Sequence, residues 1–214
     1  MGQWSRWLRN AAGSTAWIAL AAVAGTAHAT SQEFSAAHPS IEASRLVDWV
    51  MHKKDAHGKP FAVVDKRNAH IYVFGADGKL AGHSPVLLGS ALGDDIAPHV
   101  GEHAQTGHVP PAERTTPAGR FEATPGRNAQ GEKIVWVDYD SAFAIHRVRP
   151  GFSYRTRNSR LASAQLAGRR VSWGCVVVPV RFYQQVVERV LGASRSVVYV
   201  LPETTTLQQI FQAL

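Results

Sequence analysis

Apolar positions along this chain repeat with two different periods. Between residues 41 and 54, Leu46, Val47, Trp49 and Val50 fall at helical spacing, with Ser40 placed as an N-cap and Lys53 and Lys54 near the C-terminal end. That pattern predicts an amphipathic helix. From residue 61 the period shortens to that of strands. Residues 62–64 and 71–74 are short β-branched or aromatic runs, and Asp77-Gly78 predicts a two-residue type I′ hairpin turn. Residues 85–88 predict a third strand. Residues 89–118 contain four Gly, four Pro and three His and show little periodicity, so they predict a long loop of functional character. Strand character resumes at 119–123, 133–139 and 141–148, and residues 149–170 read as a basic loop. Residues 179–191 predict a helix that buries Phe182, Val186, Val187 and Val190, with Pro179 in its first turn. A closing strand at 196–201 and a short terminal helix at 207–214 complete the pattern. The expected fold class is mainly β, a sandwich or barrel-like core with a few added helices.

Composition narrows the class. With 45% apolar residues and 18% charged in 214 residues, the chain buries a real core in one domain and is not a disordered segment. No apolar run approaches the roughly 20 residues of a membrane span. The N-terminal 29 residues stand apart. Arg6 and Arg9 precede a short apolar stretch at 16–24, and Ala27-His28-Ala29 fits a cleavage site. This is the layout of a secretory signal peptide, so the protein is expected to be exported to the periplasm or cell envelope. The divisions expected are a signal peptide at 1–29, a flexible leader and helix at 30–59, the main domain at 60–202 and a tail at 203–214. A monomer is expected. The net charge of +7 favours an acidic partner, and export makes nucleic acid the wrong one.

Export makes Cys175 informative, because it is the one cysteine and has nothing to pair with. Such a thiol is either buried and inert or put to use. It follows Gly174, whose freedom permits a tight turn, and precedes a predicted helix. A working thiol needs a base. His146 ends a predicted strand 29 residues upstream and is either that base, paired with the sulfur as thiolate and imidazolium, or an ordinary half-buried histidine.

Four separated features resemble the catalytic domain of the L,D-transpeptidase family, also called YkuD-type. They are the opening hairpin (FAVVDKRNAHIYVFGADGKL), Thr116-Pro117-Ala118-Gly119-Arg120-Phe121, Ile145-His146, and Ser172-x-Gly174-Cys175. The resemblance spans about residues 60–202. It implies that Cys175 attacks the carbonyl of meso-diaminopimelate in a peptidoglycan stem peptide, D-Ala leaves, and an amine or water takes the acyl group from the thioester. It further implies His146 as general acid and base, the N–H groups of Gly174 and Cys175 as oxyanion donors, and Ser172 as a supporting residue. No cofactor is implied. Arg147, Trp173 and Val177 stand where the family usually has Gly, often has His, and often has Arg or Asn. Trp173 in that position offers an apolar or stacking wall.

Seven arginines fall between 147 and 170 with no acid among them. Arg147, Arg149 and Arg170 are the expected readers of stem-peptide carboxylates, since guanidinium binds carboxylate bidentately. Three other readings compete. His99-Val100-Gly101-Glu102-His103 matches a zinc-peptidase pattern that works only where one helix carries both histidines, with His108 as a possible third ligand. The other two are a wall-binding module that has lost its activity and a general thiol peptidase.

Overall fold

The computed structural model describes residues 33–212. Ten strands follow in order: β1 (Phe61–Asp65), β2 (His70–Phe74), β3 (Leu80–Pro85), β4 (Leu88–Gly89), β5 (Gly119–Arg127), β6 (Lys133–Asp138), β7 (Phe143–Arg147), β8 (Arg170–Ser172), β9 (Val176–Val178) and β10 (Ser196–Val200). Eight of them form one sheet in the order β3-β2-β1-β10-β5-β6-β7-β9, and β4 pairs with β8. The pairs β1–β10 and β7–β9 are parallel. The chain leaving β3 then reaches the opposite edge. Leu87 and Val177 exchange both backbone hydrogen bonds, at 2.8 and 2.9 Å, so the sheet curls back on itself and its terminal strands are bridged. The mainly β, barrel-like expectation agrees with this architecture.

The inside of the curl is filled by β-branched residues, among them Val64, Ile71, Val135, Ile145, Val176 and Val198. The outer face of β1, β2 and β10 carries a second core of Phe61, Tyr72, Phe74 and Tyr199. Helix α1 (Ile41–Lys53) covers this face, with Ser40 accepting from the Ala43 N–H as the sequence predicts. Residues 33–36, expected within a flexible leader, instead form a helical turn that buries Phe34 edge-on against Tyr72 and Phe74. The aromatic ring supplies the burial that holds this segment. The short helix α5 (Leu207–Ile210) closes the same face, and Thr206 and Gln209 form a capping box. We label the other helices α2 (Val100–Gln105), α3 (Tyr154–Ala162) and α4, which runs through Val180–Phe182, π-helical Tyr183–Val187 and Glu188–Val190. The predicted signal peptide lies outside the described residues.

Several elements differ from the sequence expectation. The Asp77-Gly78 turn is not type I′, because Gly78 alone has positive φ there while Asp77 Oδ1 accepts from the Lys79 N–H. The third strand begins at Leu80 rather than residue 85. The loops expected at 89–118 and 149–170 hold α2 and α3. In α4 the π segment rotates the buried face, so Tyr183, Val187 and Leu191 are buried while Phe182, Val186 and Val190 pack at its margin.

Candidate active site

The turn that carries Cys175 is set by glycine. Gly174 has φ +127°, and a Cβ there would stand 2.6 Å from Thr115 O. Ser172 fastens the turn from within. Its Oγ accepts from the Gly174 N–H at 3.1 Å and donates to Cys175 O at 2.7 Å. Thr116 fastens it from outside, accepting from the Gly89 N–H and donating to Gly174 O, both at 2.8 Å. Both hydroxyls are buried. With its N–H spent on Ser172, Gly174 is not free to serve as an oxyanion donor. The N–H groups of Ala144 and of Cys175 itself face the sulfur instead.

Cys175 is half-buried and lies just before β9. In the parallel pairing of β7 and β9, His146 is opposite Val177. Cys175 packs with Val177, Val148 and Leu161 on the sheet face away from the curled core. The period of two therefore places His146 and Cys175 on one face as diagonal neighbours. No hydrogen bond joins them. The sulfur donates to Ala142 O at 3.5 Å. His146 is buried, and its Nδ1 lies 2.8 Å from Arg147 O. A carbonyl only accepts, so Nδ1 carries the hydrogen and Nε2 keeps its lone pair.

Burial sets the charge state of both groups. It lowers the imidazole to about 4, helped by the positive charges of Arg149 and Arg157 and opposed by the Arg147 carbonyl and Glu132. It raises the Cys175 thiol, opposed by the Ala144 N–H, Arg149 and the cysteine's own N–H. The resting pair is thiol and neutral imidazole rather than thiolate and imidazolium.

Cys175 lines a small cleft together with Ile96, Ala97, Val100, Phe143 and Trp173. Trp173 is 45% exposed. The 89–118 segment is thus a wall of the cleft. Its two ends meet at a buried ammonium. Lys66 Nζ bonds Gly93 O, Asp94 Oδ1 and Thr116 O, each at 2.7 Å. Asp94 in turn takes the backbone N–H groups of Glu203, Thr204 and Thr205.

The predicted arginines diverge. Arg170 is committed to Glu203 and also bonds Lys66 O, so its guanidinium is spent inside the protein. Arg147 pairs with Glu132 at 2.7 Å. Arg149, at 3.4 Å from Glu132, is more exposed and is the one whose charge is felt by both Cys175 and His146. The histidines of the zinc-type pattern have separate carboxylate partners. His99 stands at the N-cap of α2 with φ 60°, 3.5 Å from Glu102, while His103 binds Glu113 at 2.6 Å. No group of three or more His, Cys, Asp or Glu among the described residues is arranged to hold a metal.

No family model and no curated protein matches the chain. Solved structures do. A cysteine-to-serine mutant of the L,D-transpeptidase of Enterococcus faecium is 18% identical with a TM-score of 0.35, covering 67% of this chain and 50% of that one. The helical cell shape determining protein Pgp2 of Campylobacter jejuni is 13% identical with a TM-score of 0.42, covering 69% and 48%. The LD transpeptidase LdtMt1 in complex with imipenem is 16% identical with a TM-score of 0.37, covering 66% and 58%. The chain is similar to L,D-transpeptidases. It spans about half the length of the first structures it matches. No helix among the described residues is long and apolar enough to cross a membrane.

Signals for the remaining site features were weak in the sequence. Arg147 acts through a backbone carbonyl, which any residue type supplies. Thr116 lies 58 residues from the carbonyl it holds, so its partner is set by topology alone.

Proposed function

We propose that the protein is an exported, thiol-dependent acyltransferase of the L,D-transpeptidase kind, acting on peptidoglycan stem peptides in the cell envelope. The observation that carries the reading is the placement of Cys175 and His146 on one face of paired strands. The Arg147 carbonyl fixes the imidazole tautomer so that Nε2 is free to take a proton.

The reaction begins from the neutral pair. Nε2 of His146 accepts the thiol proton as the sulfur adds to the carbonyl carbon of the third stem residue, meso-diaminopimelate. The developing oxyanion is met by the N–H groups of Cys175 and Ala144, and Arg149 favours the negative charge nearby. The tetrahedral species collapses to the thioester, breaking the C–N bond. The imidazolium returns its proton to the departing D-Ala nitrogen. An acceptor amine then adds to the thioester carbonyl, His146 takes its proton, and the thiol is restored; water in place of the amine gives hydrolysis. Ser172 and Thr116 keep the sulfur's turn in shape. Arg149 is the carboxylate reader among the predicted arginines.

The test is the product profile of purified protein on disaccharide-tetrapeptides, read by mass. Loss of D-Ala with cross-linked or trimmed products is expected, together with a thioester or carbapenem adduct on Cys175. The bond from the thiol to Ala142 O, rather than to His146, favours a second reading as a stem-peptide-binding module. That reading predicts sacculus binding with no adduct.

A further inference from the structure

The cleft at Cys175 combines apolar side chains such as Ile96, Val100 and Phe143 with polar groups, and two adjacent residues of the 89–118 segment set opposite charges there, Glu113 in the lining and Arg114 over the ring of Trp173. Glu113 lines the cleft and is half-buried. Its Oε2 is bound by His103 Nδ1 at 2.6 Å, while Oε1 has no protein partner among the described residues. Arg114 donates from Nε to Val109 O at 2.9 Å, and its guanidinium lies 5.7 Å over the ring of Trp173. Held in this way, its two terminal nitrogens have no hydrogen-bond partner among the described residues. A third polar group waits in the same cleft. Ser141 Oγ is buried without a hydrogen-bond partner among the described residues, an arrangement that costs free energy until something fills it.

We infer that Glu113 and Arg114 are specificity-determining residues that read the two charges at the end of the acyl donor's side chain. The inference rests on acyl transfer at Cys175. The apolar side chains suit an aliphatic stem leading away from the reacting carbonyl. A carboxylate in a partly desolvated cleft selects an ammonium. The planar guanidinium, stacked on an indole, presents a fork that matches a carboxylate. Adjacent in sequence, the two fit a zwitterionic head in which amine and carboxylate share one carbon. A side chain with only one of these charges leaves the other residue unanswered, and discrimination of this kind is strong because it acts through unpaired polar groups.

The experiment compares three tetrapeptide donors. Their third residues end in a zwitterion, in a carboxylate alone, or in an ammonium beside an amidated carboxylate. The measured quantity is kcat/KM for thioester formation and D-Ala release by the purified protein. The wild type is expected to prefer the zwitterion by about 10- to 100-fold, the range of one lost charged hydrogen bond. Arg114→Gln is expected to bring the zwitterionic and amidated donors to near parity, with Arg114→Lys intermediate. Glu113→Gln is expected to bring the zwitterionic and carboxylate-only donors to near parity while keeping the preference for a free carboxylate over its amide. Ratios between donors cancel any general loss from misfolding. Wild-type ratios in both Gln variants would overturn the inference while leaving the acyl-transfer reading intact. A wild type that forms no thioester with any donor would overturn both.

Discussion

The imidazole of His146 is useful to the proposed reaction only while neutral, and its surroundings keep it so over most of the pH range. Activity on stem peptides is expected to persist through mild acid and to fall as pH drops through about 4, where the ring protonates. The same residue links pH to stability. Its unfolded value near 6.5 exceeds the folded one, so the unfolded chain binds the extra proton, and this contribution is complete above about 6.5 and lost between there and about 4. Urea unfolding followed across that window, in wild type and His146→Gln, measures it, since the glutamine variant should lose that part of the slope. Removing the base by His146→Ala is expected to slow thioester formation by ~10²–10⁴-fold, with Cys175→Ala abolishing it. Near-normal acylation by the alanine variant at 146 would show that the pairing is wrong. Thr116 acts one step back from the chemistry. Thr116→Val strands the Gly89 N–H and Gly174 O, each at a cost of ~1–3 kcal/mol, and is expected to lower kcat with KM nearly unchanged, whereas Thr116→Ser restores both bonds and most of the rate.

Elements with a clear period were legible and those held by distant partners were not. Helix α1 could be read from Ser40 and its apolar stripe, and β1, β2 and β10 from their β-branched runs. Helix α3 was hidden because its sequence is polar, with Leu161 its one buried residue. Strand β3 was misplaced because Gly82, His83 and Ser84 dilute the alternation. The motif residues Cys175 and His146 were visible as types, and the parallel pairing that puts them on one face is a tertiary fact. Arg170 looked free because its partner Glu203 is 33 residues away. Two outcomes belong to this scale. Leu161→Ala is expected to cost about 2–5 kcal/mol locally and to speed hydrogen exchange in α3 while leaving β1 and β10 protected. Lys66→Met leaves Asp94 without its ammonium and is expected to destabilise the protein by ~3–5 kcal/mol in denaturant titration.

At the scale of the molecule, two cores share one sheet, and the outer one is completed by residues from both ends of the described chain. Phe34, Leu46, Val50, Leu207 and Phe211 all contribute to it. A fragment limited to residues 60–202 would expose Tyr72, Phe74 and Tyr199 together, and it is expected to aggregate or unfold at temperatures where the 33–212 chain is cooperative, as calorimetry would show. Burial of the Asp94 carboxylate would raise its affinity for protons, but Lys66 and Thr204, joined by the backbone N–H groups of Glu203 and Thr204, hold it well below the usual range. The tail is therefore tied to the cleft wall under all but strongly acid conditions. Because one lysine clamps Gly93, Asp94 and Thr116 together, the residues between them leave and rejoin the body at a single neck. Such a segment behaves as a cassette: its length can change at small entropic expense, and on the proposed reading its residues at the cleft are where the choice of donor can be retuned.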